Sequence, residues 1–265
     1  MKKYVRSVCM CLKRALVSRR FAAAVLMTAL LIALDLFPVF QSGIHTADGK
    51  TTYSYDLVEL IGFSGFTMFL GFSLITAVLP YSGAFCEDAQ NRFLIPFVKR
   101  GSPGVYAAGT VAACGISSFL CVFLAQALCL GIYGLFLPVV GENFVPGNYT
   151  YSLIQEEHYV LYLLVQTSLY ALRGAFFGLM SLLASTFVRN KFVIYSVPFI
   201  LYYFLMKFGY SVFDLPMTLN VRGIYFSFVF GEAYELRSLA YTLLITVLVG
   251  VCAGAAVARG FRRCV

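Results

Sequence analysis

A serine between glycines, a lysine after a glycine and a histidine beside two glutamates are the places where this chain of 265 residues could do chemistry. Gly62-Phe63-Ser64-Gly65 sets a serine among small residues, a setting for an intramembrane nucleophile. Such a serine needs a base within hydrogen-bond reach. The two histidines, His45 and His158, fall outside the apolar runs. Small residues at that spacing also serve to let membrane helices approach closely. Gly49-Lys50-Thr51 has the ending of a phosphate-binding loop, which requires Gly, four residues, then Gly-Lys-Ser/Thr so that successive N–H groups face the phosphates. Gly43 stands one residue too far upstream. Glu156-Glu157-His158 lacks the second histidine at helical spacing that zinc hydrolysis would want, and reads as the solvated start of a helix whose positive end the carboxylates favour. The chain is therefore expected to hold no catalytic residue, no metal and no cofactor of its own, and not to act as an enzyme.

Asp35, Arg173 and Lys207 each interrupt an apolar run. An ionisable residue inside a membrane needs a partner or a water-filled cavity. Asp35 and Lys207 are expected at similar depth on helices running in the same direction, where they can pair. Arg173 either hydrogen-bonds to carbonyls or Gln126, or lines a translocation path.

The elements that position these charges follow from composition. Apolar residues make up 60% of the chain and charged ones 12%, with a mean hydropathy of +0.84. A water-soluble domain has too little polar surface at that composition. Six apolar runs, about 21–40, 57–79, 106–137, 159–187, 192–208 and 237–258, are near the roughly 20 residues that cross a bilayer as helix. They are continuous, not alternating, so they are read as helices and not barrel strands. The first run has no small-residue cleavage site at 38–41 and is expected to be retained.

Fifteen of the twenty Lys/Arg fall in four segments, and ten of the twelve Asp/Glu avoid them. The segments are 1–20, the loop with Arg92, Lys99 and Arg100, the loop with Arg189 and Lys191, and the tail with Arg259, Arg262 and Arg263. The positive-inside rule makes them cytoplasmic, with both termini inside. The net charge of +8 then reads as attraction to anionic lipid headgroups and not to nucleic acid. None of the eight cysteines falls in an expected outside loop, so no disulfide framework is expected.

Residues 1–20 are expected to hold an amphipathic interfacial helix. Tyr4, Val5, Val8, Leu12, Ala15 and Leu16 fall on one arc, with Lys2, Lys3, Arg6, Lys13 and Arg14 opposite. Residues 21–265 form a six-helix transmembrane domain. The outside loops are 41–56, 138–158 and 209–236. The last of these, with its aromatic run 224–230, is read as interfacial or re-entrant before the final span. Asn148-Tyr149-Thr150 is a glycosylation sequon on the outside.

The segment 80–106 mixes Phe85, Phe93, Leu94 and Phe97 with Glu87, Asp88, Arg92, Lys99 and Arg100. Exposed aromatics among charges suit a docking surface for another protein. Phe-x-x-Asp at 85–88, followed by a basic-turn-Tyr element at 100–106, resembles the ABC-2 type permease subunits of ATP-binding-cassette exporters. The entry helix, six spans, cytoplasmic ends and re-entrant segment agree with that family over essentially the whole chain. Asn91 stands where the family often has a glycine, and Gly109 and Thr110 where many members have a lysine.

The resemblance implies a permease of the plasma membrane that exports a hydrophobic, peptide or drug-like substrate. It would work as a homodimer or with a related permease, driven by ATP on a separate ATPase subunit. Phe85, Glu87, Asp88, Asn91, Arg92, Phe97 and Arg100 would contact that subunit as a coupling helix. Asp88→Ala is then expected to uncouple ATP hydrolysis from transport without harming membrane insertion. The alternative is a non-transporting scaffold, immunity or sensor protein that binds a partner through the 80–105 loop.

Overall fold

A computed structural model describes residues 2–42, 44–47, 50–53, 55–63, 70–91, 103–141, 151–211, 216, 218, 220–226 and 228–263. Apart from one short hairpin, the regular elements among them are helices. The elements are α1 (Lys2–Leu16), α2 (Arg19–Ser42), β1 (Ile44–Ala47), β2 (Lys50–Tyr53), α3 (Leu57–Phe63), α4 (Leu70–Val78) and α5 (Ala84–Gln90). They continue with α6 (Pro103–Tyr133), α7 (Ser152–Gln155), α8 (Tyr159–Ser185), α9 (Lys191–Ser211), α10 (Val221–Phe226) and α11 (Glu235–Arg263), the last preceded by a 3₁₀ turn, Glu232–Tyr234.

Four helices are long and apolar enough to cross a membrane: α2, α6, α8 and α11. They coincide with four of the six expected runs. The expected run 57–79 holds α3 and α4, and 192–208 lies within α9. Among the long helices α8 is central, with 72% of its apolar window buried, whereas α11 has 22% and turns most of its surface outward.

Close approach of α6 and α8 rests on two glycines one turn apart. A Cβ on Gly174 would strike Val122, and one on Gly178 would strike Ser118. The Cys114 thiol donates to the Gly178 carbonyl at 3.3 Å. Small residues are the means by which membrane helices meet, because lipid supplies no hydrophobic drive between them. The same device seats α1 on α6. Ser7, Cys11 and Ala15, spaced four apart, are buried there, and a Cβ on Gly109 would strike Ser7. The amphipathic helix expected at 4–16 is present. Its packed edge is this small-residue stripe, while Tyr4, Val5 and Met10 stay exposed.

Ser18 breaks α1 from α2. Its hydroxyl accepts the Phe21 amide at 3.1 Å, an N-cap, and donates to the Ala15 carbonyl at 2.8 Å. At the far end, β1 and β2 pair antiparallel with Ala47 opposite Lys50. The hairpin lies within the expected loop 41–56.

The segment before α11 packs inward. Tyr225 of α10 is fully buried, stacks near Phe176 with centroids 4.6 Å apart, and shares a 2.9 Å hydrogen bond with Thr246. Thr242 donates to the Ile224 carbonyl at 2.9 Å. Thr242 lies seven residues into α11, roughly 10 Å along its axis.

Candidate functional site

The short helix α5 sits where five other elements converge. Its apolar side is set by Phe85, which is buried in a cluster with Cys11 and Ala15 of α1, Tyr106 and Ala107 of α6, and Val257 and Phe261 of α11. Space for the ring exists because residue 260 is glycine; a Cβ there would lie 3.1 Å from the Phe85 ring.

The polar side of α5 is tied by charge. Arg14 of α1 donates to the Asp88 carboxylate at 2.7 Å, and the Tyr106 hydroxyl of α6 donates to the other oxygen at 2.9 Å. Glu87 accepts from Arg20 of α2 at 2.7 Å and from Lys191 of α9 at 3.1 Å. Cys86 and Gln90 both donate to the Arg189 carbonyl, at 3.1 and 2.7 Å, in the turn between α8 and α9. Burial alone would raise the Glu87 carboxyl, but Arg20 and Lys191 outweigh it and hold the group below its ordinary value. Burial pushes the Cys11 thiol and the nearby Tyr81 hydroxyl up, so both stay neutral.

The residues expected to meet a partner are thus placed unequally. Phe85 and Asp88 are buried, each 3% exposed, and Glu87 is half-buried; all three are engaged within the chain. Asn91 is exposed. Arg92, Phe97 and Arg100 lie outside the described residues. Because Asp88 is buried, Asp88→Ala would also release the half-exposed Arg14 to water and take one acceptor from the Tyr106 hydroxyl, loosening α5 from α1 and α6. Sequence reasoning missed Arg14, Arg20 and Lys191 as partners. For Arg14 the available signal was the stripe Ser7, Cys11, Ala15, which places it at the edge of the packed face; Arg20 and Lys191 had none.

Arg173 is 4% exposed in α8, with its guanidinium 4.8 Å from the Tyr170 ring centroid. That is a cation–π distance. Asp35 is half-buried on α2, and the side chain of Lys207 lies outside the described residues.

The tempting motifs resolve into structure. Lys50 and Thr51 start a strand, where a phosphate loop would lead into a helix. Ser64 and the sequon 148–150 lie outside the described residues. Glu157 takes a left-handed conformation, φ 60°, and closes α7. The His158 amide reaches back to the Leu153 carbonyl at 2.8 Å and the Glu157 amide to Ile154 at 3.0 Å. That is a Schellman stop. No cluster of metal-ligating side chains occurs among the described residues.

An apolar groove of about 900 Å³ runs between α6 and α11, lined by Ala112, Gly115, Leu179, Val247, Gly250 and their neighbours. A second cavity, of about 360 Å³, lies against α5 and is lined by Arg14, Ser18, Arg19, Arg20, Glu87 and Tyr195, among others. Arg173 lines neither.

Comparison with family models, with curated proteins and with solved structures finds no match to this chain.

Proposed function

We propose that the chain is the membrane-spanning permease subunit of an ATP-binding-cassette transporter in the plasma membrane. It exports a hydrophobic, peptide or drug-like substrate, pairs with a second copy or a related permease, and is driven by ATP hydrolysed on a separate subunit. In this reading α3 with α4 and α9 complete six spans, both termini are cytoplasmic and α10 is re-entrant before the last span. The hydrogen bond from Thr242 to Ile224, well inside α11, supports that depth.

One observation carries the reading. The helix α5 is bound to α1, α2, α6, α9 and the α8–α9 turn by side chains on all its faces. Force applied at the segment after α5 therefore reaches most of the bundle at once, as coupling requires. A partner biases transport only through contacts that differ between the two end states. The docking surface is then Asn91 and the following 92–102 segment, with Arg92, Phe97 and Arg100, while Glu87 and Asp88 transmit.

The saturation of Glu87 and Asp88 inside the chain also favours a second reading, a non-transporting scaffold, immunity or sensor protein with a rigid cytoplasmic face. Affinity purification in mild detergent from the native host, with ATP hydrolysis assayed, separates the two. Retention of an ATPase by the wild type and its loss from Arg92→Glu/Arg100→Glu supports the permease. Copurification of other proteins with no ATPase sinks it.

A further inference from the structure

The cavity beside α5 is built at a corner between an interfacial helix and a membrane helix. Its walls carry Arg14, Arg19 and Arg20, with Ser18, Tyr195 and the Glu87 carboxylate, whose charge Arg20 and Lys191 offset, over an apolar floor that includes Leu79 and Ala84. At about 360 Å³ it falls at the lower end of small-ligand sites, roughly 300–1,000 Å³. Two of its arginines are fixed in place, Arg14 by Asp88 and Arg20 by Glu87, each at 2.7 Å. Arg19 has no ion pair among the described residues, so its charge is the one left uncompensated. Arg19 and Arg20 also occupy the first turn of α2, its positive dipole end, where Ser18 already takes the Phe21 amide. Fixed guanidiniums and a free guanidinium beside a positive helix end together suit the tetrahedral oxygens of a phosphate.

The surface below identifies the source of that phosphate. At helical spacing from Arg19, the same face of α2 presents Ala23, Leu26, Leu30 and Leu34, all exposed. An acyl chain lying on this stripe brings its headgroup to the cavity. The geometry points to a binding site for the phosphate of an anionic phospholipid, with Arg19 as the principal contact. This inference rests on the chain lying in a membrane and not on its transporting anything. Through Arg14 and Arg20, an occupied site bears directly on the anchoring of α5.

Native mass spectrometry of the full chain in neutral detergent tests the site, with dioleoylphosphatidylglycerol and dioleoylphosphatidylcholine titrated separately. One saturable phosphatidylglycerol adduct is expected, weakened roughly ten-fold by Arg19→Gln. Arg6→Gln removes the same charge from the exposed face of α1, outside the cavity, and is expected to change nothing. Equal weakening by both variants means diffuse attraction and overturns the site, as does equal affinity for phosphatidylcholine. Displacement of the adduct by millimolar inorganic phosphate keeps the phosphate site and overturns the lipid as its source. On the unsubstituted chain, phosphatidylglycerol is expected to shield Arg19 from phenylglyoxal while Arg6 stays reactive. Absence of that protection overturns the proposal even if Arg19→Gln does not fold.

Discussion

Arg14 and Asp88, seventy-four residues apart in sequence, meet at 2.7 Å and join the entry helix to α5. The carboxylate is almost wholly buried and the guanidinium about half exposed. That asymmetry decides how the pair behaves when broken. Arg14 can turn to water if Asp88 is lost, whereas Asp88 cannot follow if Arg14 is lost.

Asp88→Asn should therefore be milder than Arg14→Gln. The amide keeps an oxygen for the Tyr106 hydroxyl, and the released Arg14 is solvated. Arg14→Gln leaves a buried carboxylate with one donor, at a cost of about 1–3 kcal/mol. The coupling between the two sites, from a double-mutant cycle on thermal unfolding in detergent, should be about 1 kcal/mol because Arg14 is screened by solvent. A coupling indistinguishable from zero would show that the pair does not hold α1 on α5.

The neighbouring carboxylate gives a pH signature. Glu87 is held below its ordinary value of 4.5, so the folded chain binds its proton less tightly than the unfolded chain does. Stability from this group is then fully present above pH 4.5 and is lost as pH falls through the lowered value. The melting-temperature difference between wild type and Glu87→Gln should be level from pH 8 to about 5.5 and shrink below 4.5. The plateau should be small, about 1 kcal/mol or less, because Arg20 and Lys191 are largely exposed. A difference that grows on acidification would contradict the assigned ion pairs.

The contact of α6 with α8 makes a third prediction. Gly174→Ala places a methyl against Val122 and 3.1 Å from the Ser118 carbonyl oxygen, which is backbone and cannot swing aside. Overpacking of this kind costs about 1–3 kcal/mol. Gly131→Ala meets nothing within 4 Å and should be neutral or slightly stabilising. Thermal unfolding of the two variants side by side checks this, and equal effects would mean that the helices do not meet at Gly174.

The apolar runs were legible because continuous hydropathy over a bilayer's thickness is a strong signal. The expected 159–187 matches Tyr159–Ser185, and 237–258 lies within Glu235–Arg263. Within the run 57–79 the described residues form α3 and α4, helical as continuous apolar character leads one to expect. The hairpin at 44–53 had a signal that charge counting passed over, namely Asp48-Gly49 between segments rich in threonine, the pair a two-residue turn favours. Arg20 and Lys191 were counted only as marks of a cytoplasmic face, and Arg14 besides only as part of the polar arc of α1. Topology rules use the sum of such charges, and pairing with Glu87 and Asp88 depends on which helices adjoin, which the sum does not contain. Phe85 and Asp88 read as a surface because a loop between spans is assumed to be solvated, yet Gly260 and the small face of α1 leave a niche that takes α5 in.

Glu157 supplies the last prediction, from the motif that first suggested a metal. Its φ of 60° lies in the left-handed region, where a side chain costs roughly 1 kcal/mol relative to glycine. The residue is exposed and ends α7 through the amide bonds of Glu157 and His158. Glu157→Gly relieves that strain but gives the unfolded chain more freedom, so a net gain of about 0.5 kcal/mol is expected. Glu157→Val, β-branched at the same φ, should instead destabilise by about 1 kcal/mol or more. If the glutamate were a metal ligand, both variants would abolish a zinc-dependent rise in melting temperature. The Schellman geometry instead predicts that zinc leaves the wild-type transition unmoved, with glycine above and valine below it.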